Sequence, residues 1–115
     1  MKMKKSLICL LMALITLTAF KEGEKKITVF MIGDSTMANK SITGGKPERG
    51  WGHVLGGFFT EDIIVDNHAV NGRSSKSFID EGRWDKVLSR IKPGDYVVIQ
   101  FGHNDEKPNP DRHTD

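Results

Sequence analysis

Three short polar clusters interrupt apolar runs at a glycine: Gly33-Asp34-Ser35-Thr36, Asn71-Gly72-Arg73-Ser74 and Gly102-His103-Asn104-Asp105. Together they hold the parts that acyl transfer requires, a hydroxyl able to attack a carbonyl and fixed donors aimed at the oxyanion that develops. Ser35 can supply the hydroxyl. The backbone N–H groups of Ser35 and Gly72 and the side-chain amide of Asn104 can supply the donors, and a glycine at 72 leaves its N–H unobstructed by a side chain. Each cluster alone has an ordinary explanation. Gly-Asp-Ser is a common turn with Ser35 as a helix N-cap, Asn71-Gly72 is a turn dipeptide, and the third cluster could be a satisfied loop network. Three such clusters in equivalent positions of one fold are harder to explain as unrelated turns.

The elements around them supply that equivalence. Ile27-Thr28-Val29-Phe30-Met31-Ile32 is a nearly continuous apolar run ending at Gly33, the pattern of a parallel strand buried on both faces. A second run, Ile63-Ile64-Val65, leads through Asp66, Asn67 and His68 to Ala69-Val70 and stops at Asn71-Gly72. A third, Tyr96 to Phe101, stops at Gly102. Between the second and third, Trp84, Val87, Leu88 and Ile91 fall at i, i+3, i+4 and i+7, an amphipathic helix closed by Pro93-Gly94. Between the first and second, Trp51, Val54, Leu55, Phe58 and Phe59 predict another helix, weakened by Gly56-Gly57, after an exposed Gly-rich loop from Asn39 to Gly50. The order β-α-β-α-β implies parallel strands joined right-handedly, with helices on both faces. In such a sheet the carboxyl ends of the strands bring their loops to one crevice, and all three clusters lie there.

The clusters resemble the sequence blocks of the SGNH (GDSL-like) hydrolases: Gly33-Asp34-Ser35-Thr36 the first, Gly72 the second and Gly102-His103-Asn104-Asp105 the third. Met37, Arg49-Gly50-Trp51-Gly52, Asn71 to Phe78 and Gln100-Phe101 bring the wording close to the rhamnogalacturonan acetylesterase branch. The resemblance covers nearly everything from Ile27 to Asp105. It implies a flavodoxin-like three-layer α/β/α fold with a parallel sheet, here truncated. It also implies a serine esterase that removes O-acetyl groups from a rhamnogalacturonan- or pectin-like polysaccharide. Ser35 would be the nucleophile, and Gly72 and Asn104 oxyanion-hole members. Asp34 would shape the turn and Arg73 line the cleft, the two forming the substrate-binding set. The family's base comes from a later Asp-x-x-His block. No such block occurs in these residues, since Asp111-Arg112-His113 is one residue short, and the chain as given is expected to be inactive. Neither His103 nor His113 has an evident orienting partner in the sequence, and His53 and His68 are expected to be structural.

Composition narrows the remaining classes. Lys and Arg total 17 against 15 Asp and Glu, but Lys2, Lys4 and Lys5 belong to a cationic start followed by an apolar run from Leu7 to Leu17. That pattern is expected to be a secretory signal over residues 1–20, with 21–26 a linker and 27–115 the catalytic domain's first part. The cleavage site is poorly marked, and an uncleaved anchor is the alternative. Without the leader the balance is 14 against 15, which offers no surface for nucleic acid and no polybasic membrane patch. Cys9 lies inside the leader, so disulfides are not expected in the mature protein, which would be secreted or periplasmic. No His-Glu-x-x-His, paired Cys/His spacing or phosphate-binding glycine loop is present, and neither metal nor organic cofactor is expected. Two other readings stay open: an SGNH lipase or thioesterase with a greasy acyl groove, and a non-catalytic carbohydrate-binding protein of the same fold.

Overall fold

The computed structural model describes Gly23 and residues 25–115, so the expected leader and half of the linker lie outside the described residues. Three parallel strands form one sheet in the order β2-β1-β3, with β1 at Ile27–Gly33, β2 at Ile63–Asn67 and β3 at Tyr96–Gln100. β1 lies in the middle because its apolarity is continuous. It pairs with β2 from Ile27↔Ile63 to Met31↔Asn67 and with β3 from Val29↔Tyr96 to Gly33↔Gln100. The chain leaves β1 towards one neighbour, then crosses back over it to reach the other. The connections therefore part at the carboxyl ends of β1 and β3, where an open α/β sheet forms its binding crevice.

Alternation along β1 sends its side chains into two cores, one on each face. Val29 and Met31 pack with Met37, Leu55, Val65 and Val98 under the first crossover. Phe30 and Ile32 pack with Phe78, Val87, Trp84, Val97 and Phe101 under the second. The result is the expected helix, sheet, helix layering.

The helices are shorter than the hydrophobic spacing suggests. α1 covers only Trp51–Val54 and tightens into a 3-10 turn at Leu55–Phe58, and Phe58 is 81% exposed instead of lying on an apolar stripe. Gly56-Gly57 is the cause, because two residues without side chains neither favour a helix nor anchor one. In the second crossover, α3 spans Arg83–Leu88 and buries Val87 completely, while Leu88 turns to the surface. Before it lies a helix not expected from periodicity, α2 at Ser75–Asp80, whose buried apolar residue is Phe78. A capping box starts it: the Ser74 hydroxyl accepts from Ser77 N at 3.1 Å and the Ser77 hydroxyl from Ser74 N at 2.9 Å. Among the described residues no helix is long and apolar enough to cross a membrane.

Candidate functional site

The first cluster is a single tight turn of helical type. The Met37 and Ala38 N–H groups both donate to the Asp34 carbonyl, at 3.3 and 3.0 Å. The Asp34 carboxylate, only 2% exposed, accepts from Thr36 N at 3.0 Å and from the Thr36 hydroxyl at 2.8 Å. These bonds lift Ser35 to the partly exposed tip of the turn, and none of them engages its hydroxyl. Asp34 thus acts from beneath. Through Oδ1 its carboxylate braces the turn that carries Ser35.

The second cluster continues the sheet's pairing for a few residues past β2, with His68 N donating to the Met31 carbonyl at 2.8 Å and Val70 N to that of Gly33 at 3.0 Å. The chain then turns at Gly72, whose φ of +74° lies in the left-handed region that favours glycine. A Cβ built on Gly72 would meet nothing within 4 Å, so its surroundings are open. Glycine is needed here for the backbone conformation as well as for access. The Arg73 guanidinium is held by Glu81 at 3.1 Å and by the Asn71 carbonyl at 3.1 Å. Hydrogen bonds from Arg83 first and Arg73 second keep the Glu81 carboxyl below its ordinary range. The Arg73 side chain thus braces its own turn against the end of α2.

In the third cluster Asn104 is 1% exposed and donates one amide hydrogen to the Arg73 carbonyl at 3.0 Å, which leaves one of its two hydrogens for a further acceptor. Asp105, not among the expected site residues, is the hub of this cluster. Its carboxylate accepts from Gly102 N at 3.1 Å, Ser75 N at 3.1 Å, the Thr114 hydroxyl at 3.3 Å and the Ser75 hydroxyl. It binds the third turn to the first turn of α2.

The three turns are consequently tied to one another. Asp34 N donates to the Gln100 carbonyl at 3.2 Å, Val70 N joins the second turn to Gly33, and Asn104 and Asp105 join the third to the second. The Trp51 indole N–H donates to the Gln100 side chain at 2.6 Å, closing the first crossover onto β3. Lys40, assigned to an exposed loop by the sequence, in fact reaches back: its ammonium donates to the Ser35 carbonyl and, at 2.7 Å, to Asn71 Oδ1.

His53, His68 and His113 have partners other than Ser35, and His103, in the third turn, is exposed. His53 Nδ1 accepts from Lys40 N at 3.2 Å, and His68 Nε2 lies 3.1 Å from Asp66, beside Arg90 and the Phe30 ring. His113 has a carboxylate neighbour after all, Asp115 at 3.5 Å, although this Asp115 side chain is fully exposed. Among the described residues no group of three or more His, Cys, Asp or Glu side chains is placed to hold a metal ion.

The arrangement has parallels among known proteins. Residues 31–114 match the model of the GDSL-like lipase/acylhydrolase family. The chain belongs to that family. Over 85 residues it is 47% identical to the rhamnogalacturonan acetylesterase RhgT of Bacillus subtilis (strain 168), a stretch covering 74% of this chain and 36% of that protein. It is 40% identical over 78 residues to a rhamnogalacturonan acetylesterase of Emericella nidulans, covering 68% of this chain and 28% of that one. The crystal structure of the Bacillus subtilis protein YxiM superposes with a TM-score of 0.66 at 33% identity, over 72% of this chain and 24% of that one. The chain thus spans little more than a third of RhgT's length, and the layered arrangement described above is the fold it shares with YxiM.

Proposed function

We propose that the protein carrying this chain is a carboxylic ester hydrolase that removes acetyl groups from a polysaccharide of the rhamnogalacturonan type. The observation that carries this is the joining of the three turns at the carboxyl ends of the strands, with Ser35 at the tip of the first and Gly72 open in the second. Membership of the GDSL-like family and the names of the curated relatives support the choice of ester and of substrate class. Ser35 Oγ attacks the acetyl carbonyl while a general base takes its proton, and the oxyanion is received by the Ser35 and Gly72 N–H groups and the free Asn104 amide hydrogen. The sugar oxygen leaves as the alcohol, water attacks the acetylated serine, and acetate departs. By the family resemblance the base would come from an Asp-x-x-His block, which is not among these residues. The cationic, then apolar, pattern of residues 1–20 supports export of the protein, which suits a polymeric substrate.

Ser35→Ala in the intact protein tests this. Acetate release from acetylated pectin should fall by at least about a thousandfold while circular dichroism stays unchanged, because only electrostatic stabilisation then remains. Activity within about tenfold of the parent would remove Ser35 from the role of nucleophile.

A further inference from the structure

Among the described residues, Lys40 is the one long cationic side chain that spans two of the three turns. Its side chain is only 10% exposed, although its neighbours from 41 to 49 are all at the surface. Its backbone is fixed by the bond from Lys40 N to His53 Nδ1, so the stem leaves from a defined point on the first crossover. At the far end the ammonium has three hydrogens to place. One goes to the carbonyl of Ser35 and one to Asn71 Oδ1, and the nearest carboxylate, Glu48, stands 3.7 Å away and is itself well exposed. A lysine buried to this degree against two neutral acceptors and a single, solvated counter-ion is costly to desolvate. Nothing in the packing of either core calls for it, since the cores are formed by other residues. What it does achieve is a fixed relation between the backbone of Ser35 and the turn that presents Gly72.

We propose that Lys40 is a positioning residue for the nucleophile and the oxyanion donors. It holds the Ser35 turn and the Gly72 turn at one spacing and lays a fixed positive charge against the Ser35 carbonyl, orienting the peptide that follows the nucleophile. This inference rests on the assignment of Ser35 as nucleophile. Since Lys40 bonds to the backbone of the turn and not to a substrate, its removal lowers kcat and leaves KM nearly unchanged, and the loss is the same for a small aryl acetate as for the polymer.

In the intact protein, Lys40→Met keeps the stem and deletes the ammonium. kcat on aryl acetate should fall about 10- to 100-fold, the penalty for misplacing reacting groups by up to an ångström, with KM within about twofold. Asn71→Ala removes only the other end of the bridge, on an exposed turn, and should lose part of the same activity. The double variant should be no worse than Lys40→Met alone, because both act through one contact. If Lys40→Met does not fold, Asn71→Ala alone decides: unchanged kcat overturns the proposal, and a lowered kcat at constant KM supports it. Losses that multiply in the double variant, or an effect confined to KM, also overturn it. Failure of the esterase assignment is distinguishable, because then the parent and Ser35→Ala would release acetate equally, whatever Lys40 does.

Discussion

Gly50 and Gly57 stand seven residues apart in the first crossover, and the same substitution at each should act with opposite sign. Neither has a left-handed φ, so no backbone strain separates them, only space. A Cβ on Gly50 would lie 2.0 Å from the Ala38 carbonyl oxygen and 2.7 Å from the Met37 carbonyl carbon and oxygen, all backbone atoms that cannot swing away. Ordinary contact needs about 3.5 Å, so α1 and the Ser35 turn must separate by roughly 1.5 Å. Overpacking of this kind costs about 1–3 kcal/mol. The separation also pulls apart the bond from Trp51 N to the Thr36 carbonyl, 3.0 Å long, worth about another 1 kcal/mol. Gly50→Ala should therefore destabilise by about 2–4 kcal/mol, the sum of those two ranges. At Gly57 a Cβ meets nothing within 4 Å, and the alanine should stabilise by about 0.4–1 kcal/mol by restricting the unfolded chain. Urea unfolding of the intact protein measures both, and aryl-acetate hydrolysis follows the site, which Gly50→Ala should also weaken because the displaced segment carries Ser35. If the two variants unfold within about 1 kcal/mol of each other, the close approach of α1 to the nucleophile turn is not a structural constraint and this reasoning fails.

Two further outcomes follow from the same geometry. Asn104→Ala should lower kcat about a hundredfold with little change in KM, as for the loss of one oxyanion donor, and a change confined to KM would make Asn104 a substrate-binding residue instead. The Asp95 carboxylate accepts from Thr28 N at 2.9 Å and Lys92 N at 2.8 Å, which hold it below its ordinary range. A lowered folded-state pKa contributes stability that is present above the unfolded value and lost as pH falls through the folded one. Asp95→Asn should therefore lower Tm at neutral pH, and the gap from the parent should close as the buffer is taken below about pH 4. A gap that does not vary with pH would contradict this account.

What the sequence made legible follows from how local each signal is. β1 was readable because its continuous apolarity goes with burial on both faces, and β3 was readable as a similar run although Tyr96 and Ile99 are exposed. β2 was readable by position, though its pairing stops at Asn67 and the His68–Val70 stretch only borrows hydrogen bonds from β1. α2 has six residues and buries Phe78 as its only large apolar side chain, too little for a period. Its signal was the cap, with Ser77 standing where Glu or Gln is usual. Ser35, Gly72 and Asn104 stood out by the interruption of apolar runs, and the structure brings their turns together. Asp34 and Arg73 were visible as residues but their partners were not, because nothing local in the sequence marks that the carboxylate bonds its own turn or that the guanidinium meets Glu81. Lys40 was invisible. Its partners lie 5 and 31 residues away, and a lysine in a polar stretch carries no local mark of burial.

The mutual bonding of the three turns has a consequence for how amide protons exchange with solvent. Asp34 N of the first turn is protected by β3, Val70 N beside the second turn by β1, and Ser75 N at the start of α2 by Asp105 of the third turn, so each of these amide protons is guarded by a different part of the chain. None of these amides can be exposed by a turn fraying on its own without breaking a bond to another turn. Their exchange should therefore run at the rate of a shared opening of the sheet's carboxyl edge, and slow or quicken together. In deuterated buffer, anything that seats itself in the crevice and bridges two of the turns should slow exchange at all three of these amides, including one on a segment it never touches.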